Sequence, residues 1–333
     1  MVSEKEVENV LNEVLVPGVK RSITDLNMLR NIEITDELIK VTLASAGLQP
    51  DNQDWLSTNI KEVLEKLPGV GSAKVEMQKV EPQELNQITH VIATMSGKGG
   101  VGKSMVAGLT AVALNRQGYK VGILDADLTG PSIPRMFGVN DRPGGNETAI
   151  LPVLSRSGIE VMSINLLLPE EESALIWRGP LISKTIQQFW GQVVWGKLDY
   201  LVVDLPPGTA DAPLTVMQSL PLSGVIIVFT SQSLTTMIVK KAIDMARKLE
   251  KPILGVVENM SYLYVPEIDK RIEVFGKSSG EEMSQAANAP LLGRLPIEPG
   301  LGKLCDDGDI ERYSSEAFAE FSQALIKALP QGE

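Results

Sequence analysis

The run Gly97-Lys98-Gly99-Gly100-Val101-Gly102-Lys103-Ser104 constrains this 333-residue chain more than any other feature. It follows the apolar run Val91-Ile92-Ala93-Thr94-Met95 and opens a helix expected over about Ser104–Gln117. A strand, a glycine turn and a helix let backbone N–H groups converge on phosphate oxygens, and the helix N-terminus adds positive potential. In that setting Lys103 reaches the β- and γ-phosphates and the Ser104 hydroxyl ligates Mg2+. Gly97, Gly99 and Gly102 also satisfy a dinucleotide pattern, with Asp125 or Asp127 about where a ribose-binding acid belongs. The lysines separate the two readings. A dinucleotide loop has no use for Lys98, Lys103 and Ser104 around a diphosphate, whereas a triphosphate with its metal does.

The rest of the chain supplies a scaffold for such a loop. Val91–Met95, Val121–Leu124, Tyr200–Val203, Val225–Phe229 and Ile253–Val257 are apolar without alternation, as strands covered on both faces are. Helices are expected between them at 104–117, 235–250 and 279–288. Repeated strand–helix alternation predicts an α/β fold, a doubly wound, mostly parallel sheet over residues 88–330. Residues 1–80 have a different rhythm and read as a small α+β domain. A helix over Glu4–Leu15 stops at Pro17-Gly18, strands are expected at 32–34 and 38–43, a helix over Trp55–Leu67 ends at Pro68-Gly69, and a strand follows at 70–80. The polar stretch 81–87 is expected to be a linker.

Two carboxylate groups accompany the loop. Leu201-Val202-Val203-Asp204 is an apolar strand ending in an acid, the place from which phosphoryl-transfer folds hold Mg2+, usually through water. Pro206-Pro207-Gly208 then makes a stiff turn with one flexible joint, suited to a segment that responds to a γ-phosphate. Asp125-Ala126-Asp127 ends the neighbouring strand candidate; these acids either position water or metal or form a solvated turn.

Composition removes several function classes. One cysteine, Cys305, and one histidine, His90, exclude an intramolecular disulfide, a metal site needing two thiolates from one chain, and a multi-histidine centre. A net charge of −11 argues against nucleic acid or anionic lipid as a partner. No apolar run approaches the roughly 20 residues of a membrane helix, and the opening MVSEKEVENV is charged, unlike a secretory signal. A cytoplasmic protein with neither a membrane nor a nucleic-acid partner is expected.

With these residues in place, the chain resembles a known family. The loop with its extra lysine, Lys98, is similar to the deviant phosphate loop of the MinD/ParA/nitrogenase-iron-protein class. More narrowly, Trp177-Arg178-Gly179-Pro180, Trp195-Gly196-Lys197-Leu198-Asp199-Tyr200, Asp204-Leu205-Pro206-Pro207-Gly208-Thr209 and Asp125-Ala126-Asp127-Leu128-Thr129-Gly130-Pro131-Ser132 resemble the Mrp/ApbC group of iron–sulfur cluster carrier ATPases. The first 80 residues resemble the small cluster-assembly domain often fused ahead of it. The resemblance implies an ATPase, with ATP and Mg2+, that works as a face-to-face homodimer. It implies that Lys98 crosses to the partner's ATP, that Asp127 positions the attacking water, and that Asn259 contacts adenine with Pro296 lining the base site. Apo iron–sulfur acceptor proteins or an assembly scaffold are the implied partners.

The chain departs from that group at one point. The group follows Asn-Met-Ser-Tyr with a Cys-x-x-Cys pair that holds a cluster between subunits; here Val265 and Ile268 occupy those positions, and neither binds iron. The assembly-domain cysteine is missing too, in Leu43-Ala44-Ser45-Ala46-Gly47-Leu48. Cys305 is expected in a loop as an ordinary unliganded thiol. The function expected from sequence is therefore slow ATP hydrolysis in cluster assembly or transfer without the usual bridged cluster. The alternatives are a nucleotide-timed positioning switch like MinD or ParA, and an ATP-binding adaptor that recruits a client through residues 1–80. The last helix, near 314–329, carries Phe318, Phe321, Leu325 and Leu329 but few basic residues, so it is expected to pack on the sheet rather than on a membrane.

Overall fold

The computed structural model describes residues 2–127, 130–167 and 179–330, with 179–184 and 233–236 described by their backbone alone. Contacts divide the chain into two units: residues 1–88, 142–154 and 188–198 form one, and 89–141, 155–187 and 199–333 the other.

The first unit opens with α1 (Glu4–Leu11), whose start is held by a capping box between Ser3 and Glu6. It ends four residues before the expected stop at Leu15, and Val14 and Val16 are buried from an irregular segment instead. Strands β1 (Leu29–Thr35) and β2 (Leu38–Ala44) pair antiparallel about a turn in which Asp36 has φ +49°. Helix α2 (Pro50–Leu64) crosses over to β3 (Ser72–Gln78), which pairs parallel to β2. Proline at the first helical position starts α2 five residues before Trp55. Ile39, Val41 and Leu43 alternate inward from β2 and meet Leu56, Ile60 and Leu64 of α2, the spacing each element requires. Residues 82–85 form a 3-10 turn whose Leu85 is buried in this core. Ala149, Leu151 and Val194 belong to the same core, so two later segments complete it. The first of them carries the short strands β6 (Gly144–Gly145), β7 (Ile150–Leu151) and β8 (Val153–Leu154). Trp195 is wholly buried, its carbonyl accepting a hydrogen bond from the Arg21 guanidinium at 3.0 Å.

The second unit is the doubly wound α/β part. Its strands are β4 (Gln87–Ser96), β5 (Val121–Asp125), β9 (Glu160–Ser163), β10 (Lys197–Asp204), β11 (Gly224–Phe229), β12 (Ile253–Glu258) and β15 (Leu291–Arg294). They are seven consecutive strands of an eight-stranded sheet, in the order β15-β12-β11-β4-β10-β5-β9. The pairings β15–β12, β12–β11, β11–β4, β10–β5 and β5–β9 are parallel. Every residue of β5, β9 and β11 is buried, which is why their sequences show no alternation.

Helices α3 (Lys103–Arg116), α5 (Gly179–Gln192), α6 (Asp211–Ser219), α7 (Ser233–Lys248), α8 (Gly280–Ala287), α9 (Pro299–Asp306) and α10 (Glu316–Ala328), with the single turn α4 (Ile133–Met136), complete the fold. Helix α3 is buried on all sides from Val106 to Leu114, as a helix leaving the middle of a sheet must be. Phe318, Phe321 and Leu325 of α10 are buried, and the helix packs on β15 as its sequence predicts. Strand order reverses at β4, where β5 lies to one side and β11 to the other. That is the switch point at which a crevice opens beyond the carboxyl ends of the strands. A two-stranded hairpin, β13 (Leu263–Val265) with β14 (Lys270–Ile272), stands apart from the sheet.

Candidate functional site

The glycine loop leaves β4 at Ser96 and enters α3 at Lys103, at that switch point. Gly100 and Gly102 both have φ +78°, a backbone conformation that costs an L side chain roughly 1–2 kcal/mol. Gly102 is the N-cap of α3, and a Cβ there would run into the amide nitrogen of Asn259. Gly97 faces Ile238 of α7, whose side chain and carbonyl leave no room for a Cβ. Gly99 and Gly100 are exposed, and Val101 is buried. The ammonium of Lys98 donates to Gln232 Oε1 of its own chain at 2.6 Å.

Lys103 turns back from the start of α3 to the end of β10, where its Nζ lies 2.5 Å from Asp204 Oδ1. Lys103 is 5% exposed and Asp204 wholly buried. The Thr94 hydroxyl donates to the same Asp204 oxygen at 3.2 Å. Burial raises the Asp204 carboxyl above its ordinary value, against the opposing charge of Lys103 and hydrogen bonds from Lys103 and Ser104. Ser104 is half-buried in the first turn of α3, on the side of this pair.

Asp125 ends β5 directly opposite Asp204 in the strand register. Its Oδ1 accepts from the Asp127 N–H at 3.2 Å, and its Oδ2 from the Ser132 and Ile133 N–H groups at 2.9 and 3.1 Å. Burial, then the neighbouring Asp204 charge, pushes the Asp125 carboxyl up to about 8. Asp127 is buried beside it. Of the two sequence readings for these acids, the solvated turn is excluded by that burial. Leu128, Thr129, Trp177 and Arg178 of the resemblance motifs lie outside the described residues.

Asn259 follows β12 and is wholly buried; its amide nitrogen donates to the Val101 carbonyl of the loop at 2.8 Å. A strand-end asparagine is thus built into the loop's support, a role its sequence position does not reveal. Pro296 is half-buried and lines a groove of about 1230 Å³ with Ser261, Tyr262, Ile297 and Glu298. The structure therefore gathers Lys103, Ser104, Asp125, Asp127 and Asp204 at the loop, brings Asn259 onto it, and sets Lys98 against Gln232.

Four buried side-chain atoms of this unit have no hydrogen-bond partner among the described residues: Asp204 Oδ2, Asn259 Oδ1, Thr230 Oγ1 and Ser231 Oγ. They follow or end β10, β12 and β11, all at the end of the sheet that bears the loop. Unmatched buried polar atoms are costly and rare, and their grouping here marks a crevice shaped for a polar ligand. Thr230 and Ser231 are site candidates that sequence reasoning did not reach. The available signal is two hydroxyl residues directly after the wholly apolar run Val225–Phe229, at the same sheet end as the loop. Ser104 and the unmatched Asp204 oxygen also fit a magnesium ion, which keeps several waters and takes one or two side chains beside the phosphates. No cluster of three or more histidine, cysteine, aspartate or glutamate side chains is arranged to hold a metal among the described residues.

The expected loop around Cys305 is instead the last turn of α9, started by Pro299 and anchored by buried Leu301. Burial, helped by the Asp306 charge, pushes its thiol up to about 11. Val265 and Ile268 lie on the β13–β14 hairpin, Ile268 being 56% exposed.

A glycine loop at the switch point of a parallel sheet, with a lysine and a strand-end aspartate buried against each other, defines a P-loop nucleotide-binding protein. Residues 87–329 match the ParA-type NUBPL iron-transfer P-loop NTPases, and residues 4–77 match iron–sulfur cluster assembly proteins. The chain belongs to the NUBPL iron-transfer P-loop NTPase family. It is 37% identical over 324 residues to an iron-sulfur cluster carrier protein of Synechocystis, covering 92% of this chain and 91% of that one. An iron-sulfur cluster carrier protein of Clostridium perfringens is 45% identical over 237 residues, 69% of this chain and 83% of that one. Among solved structures, a nucleotide-binding protein from Archaeoglobus fulgidus in complex with ADP superposes with a TM-score of 0.64. It is 45% identical and covers 72% of this chain and 94% of its own. The septum site-determining protein MinD of Pyrococcus horikoshii, complexed with Mg-ADP, shares the fold at 22% identity, with a TM-score of 0.52 over 72% of this chain and 96% of that one.

Proposed function

We propose that the protein is a slowly hydrolysing, homodimeric ATPase that assists iron–sulfur cluster assembly or transfer to apoproteins, without a cluster bridged by hairpin thiolates. The observation that carries this reading is the set of unmatched buried oxygens around an intact phosphate loop, in a chain with one cysteine. The amides of residues 97–104 and the Lys103 ammonium bind the phosphates, Lys103 exchanging Asp204 for a phosphate oxygen as the nucleotide enters. Ser104 and Asp204 hold magnesium, Asp204 through water. When bound there, magnesium would supply charge that offsets the negative charge on the transferred phosphoryl group. Asp127 orients the attacking water, and Asn259 with Pro296 takes the adenine. Lys98 leaves Gln232 and reaches the partner's nucleotide, supplying positive charge as an arginine finger does. Turnover is slow because that lysine acts only when two loaded chains meet.

The cluster is cargo in this reading. A dimer brings two thiols, both Cys305, where a cubane cluster takes four protein ligands. The protein's own thiols are therefore too few, and the cluster's ligands come from the donor or acceptor protein. Anaerobic incubation with iron and sulfide, then with an apo-acceptor and ATP, tests this. Transfer that needs ATP, with no stable cluster on the protein alone, supports the reading; no transfer under any condition overturns it. A positioning switch is not favoured, because the aromatic stripe of α10 is buried and does not offer an apolar face to a lipid surface.

A further inference from the structure

Glu258 is a wholly buried carboxylate at the last position of β12, immediately before Asn259, and nothing in the nucleotide chemistry above uses it. A buried charge is retained only where donors surround it. Its Oε1 accepts from the Ser279 N–H at 2.8 Å, just ahead of α8. Its Oε2 accepts from the Ser278 hydroxyl at 2.6 Å and the Ser261 hydroxyl at 2.9 Å. Arg294 Nε of β15 lies 3.6 Å from that second oxygen, and Arg294 also reaches Glu281 of α8 at 3.3 Å.

Between Glu258 and Ser261 the chain makes an unfavourable turn. Met260 has φ +53°, a left-handed conformation that a methionine keeps only where its surroundings impose it. The turn is held on both sides: Asn259 N–H donates to the Phe229 carbonyl at 2.8 Å, Ser261 N–H to the Leu295 carbonyl at 2.9 Å, and the Ser261 hydroxyl closes back on Glu258. The product is the placement of one side chain. Asn259 sits where its amide nitrogen meets Val101 of the loop and nearly touches Gly102, leaving its oxygen unmatched. A small relaxation of the turn would cost both the loop contact and the direction of that oxygen.

We infer that Glu258 is the positioning residue of the base end of the site: it fixes the 259–261 turn so that Asn259 braces the phosphate loop and presents its oxygen to the base. This rests on the reading that Asn259 takes the adenine. Glu258→Ala leaves Ser261, Ser278, Ser279 N–H and Arg294 without their acceptor, whereas Glu258→Gln keeps the shape and one accepting oxygen.

The test uses the full chain and calorimetric Kd values for Mg·ATP, Mg·GTP and Mg·tripolyphosphate, with hydrogen exchange over residues 97–104 read without nucleotide. For Glu258→Ala, ATP binding weakens about tenfold and the ATP-over-GTP preference falls about fivefold, the scale of one or two hydrogen bonds, while tripolyphosphate changes less than about twofold. Exchange in 97–104 rises. Glu258→Gln restores most of the preference, which a loss of stability alone would not explain. An alanine variant with unchanged preference and exchange overturns the inference. If Glu258→Ala does not fold, Ser278→Ala and Arg294→Gln remove two outer partners; a fall of about twofold in preference supports the inference and no change overturns it. Asn259→Ala separates the two readings. If it abolishes the preference while Glu258→Ala leaves it intact, only the Glu258 inference fails. If it leaves the preference intact, base recognition by Asn259 fails, and exchange over 97–104 alone decides whether Glu258 braces the loop.

Discussion

The Lys103 ammonium and the Asp204 carboxylate meet at 2.5 Å in a place that water barely reaches. One end of this pair starts the helix behind the phosphate loop and the other ends β10, so the contact ties the loop's helix to the end of the sheet. A buried pair of this kind is costly to break from one side, because the remaining charge has no solvent to turn to.

Lys103→Ala therefore has two expected effects. Urea unfolding shows a loss of about 3–5 kcal/mol from the stranded carboxylate, and Mg·ATP binding falls at least about tenfold from the lost charged hydrogen bonds. The double variant Lys103→Met with Asp204→Leu is less destabilised than the sum of the single changes. Additive losses would show that the pair is not coupled in solution.

Gly102→Ala tests the loop geometry without touching charge. Its φ of +78° and its approach to Asn259 make the methyl group intolerable without movement of the loop. Binding of Mg·ATP weakens by about tenfold or more, given a backbone cost of roughly 1–2 kcal/mol. Retained affinity would mean that the loop does not keep this conformation when it binds.

Lys98 is expected to matter for turnover and not for affinity. Its present partner is Gln232, away from the buried lysine–aspartate pair. Lys98→Ala keeps its Kd for ATP within about twofold but lowers phosphate release by about a thousandfold, in the range of lost finger residues. In the unmodified protein, turnover per chain rises with protein concentration across the dimerisation range. Turnover independent of concentration would remove the cross-subunit role.

Much of this site is legible in the sequence because its elements are punctuated by chemistry. The glycines, Lys103 and Ser104 sit in a run with one physical use, and Asp204 ends a strand too apolar to be anything but buried. Asn259 is marked by the family resemblance alone, while its bond to Val101 spans 158 residues, which no local pattern encodes. Thr230, Ser231 and Glu258 are not legible in the sequence, because a hydroxyl or carboxylate beside a strand end reads as solvated until the neighbouring strands are in place. The same limit applies to the first unit. Strands β1 to β3 and α2 follow from alternation and proline, but Ala149, Leu151 and Val194 join that core from segments more than 60 residues beyond β3.

That composite core makes its own prediction. Val194→Ala leaves a cavity in that core and costs about 1.5–3 kcal/mol in urea unfolding. Hydrogen exchange should rise in residues 38–64 as well as near the mutation. A rise confined to 188–198 would separate this segment from the unit.

Cys305 gives a prediction with a defined pH course. Its thiol is raised to about 11 by burial, so the thiolate is scarce at neutral pH and grows as pH rises. Alkylation by iodoacetamide is expected to accelerate about tenfold per pH unit between 7 and 10, where an ordinary thiol near 8.5 levels off by about pH 9.5. A plateau near pH 8.5 would show an exposed, ionised thiol better suited to holding iron.

Calorimetric titration of ATP into the full chain, with magnesium and again with EDTA, bears most directly on the claim that the loop at residues 97–104 binds a magnesium nucleoside triphosphate. Saturable binding that weakens strongly in EDTA, weakens about tenfold or more in Gly102→Ala and is not displaced by NAD is the expected result. Binding indifferent to magnesium, or competition by NAD at the same site, would contradict it.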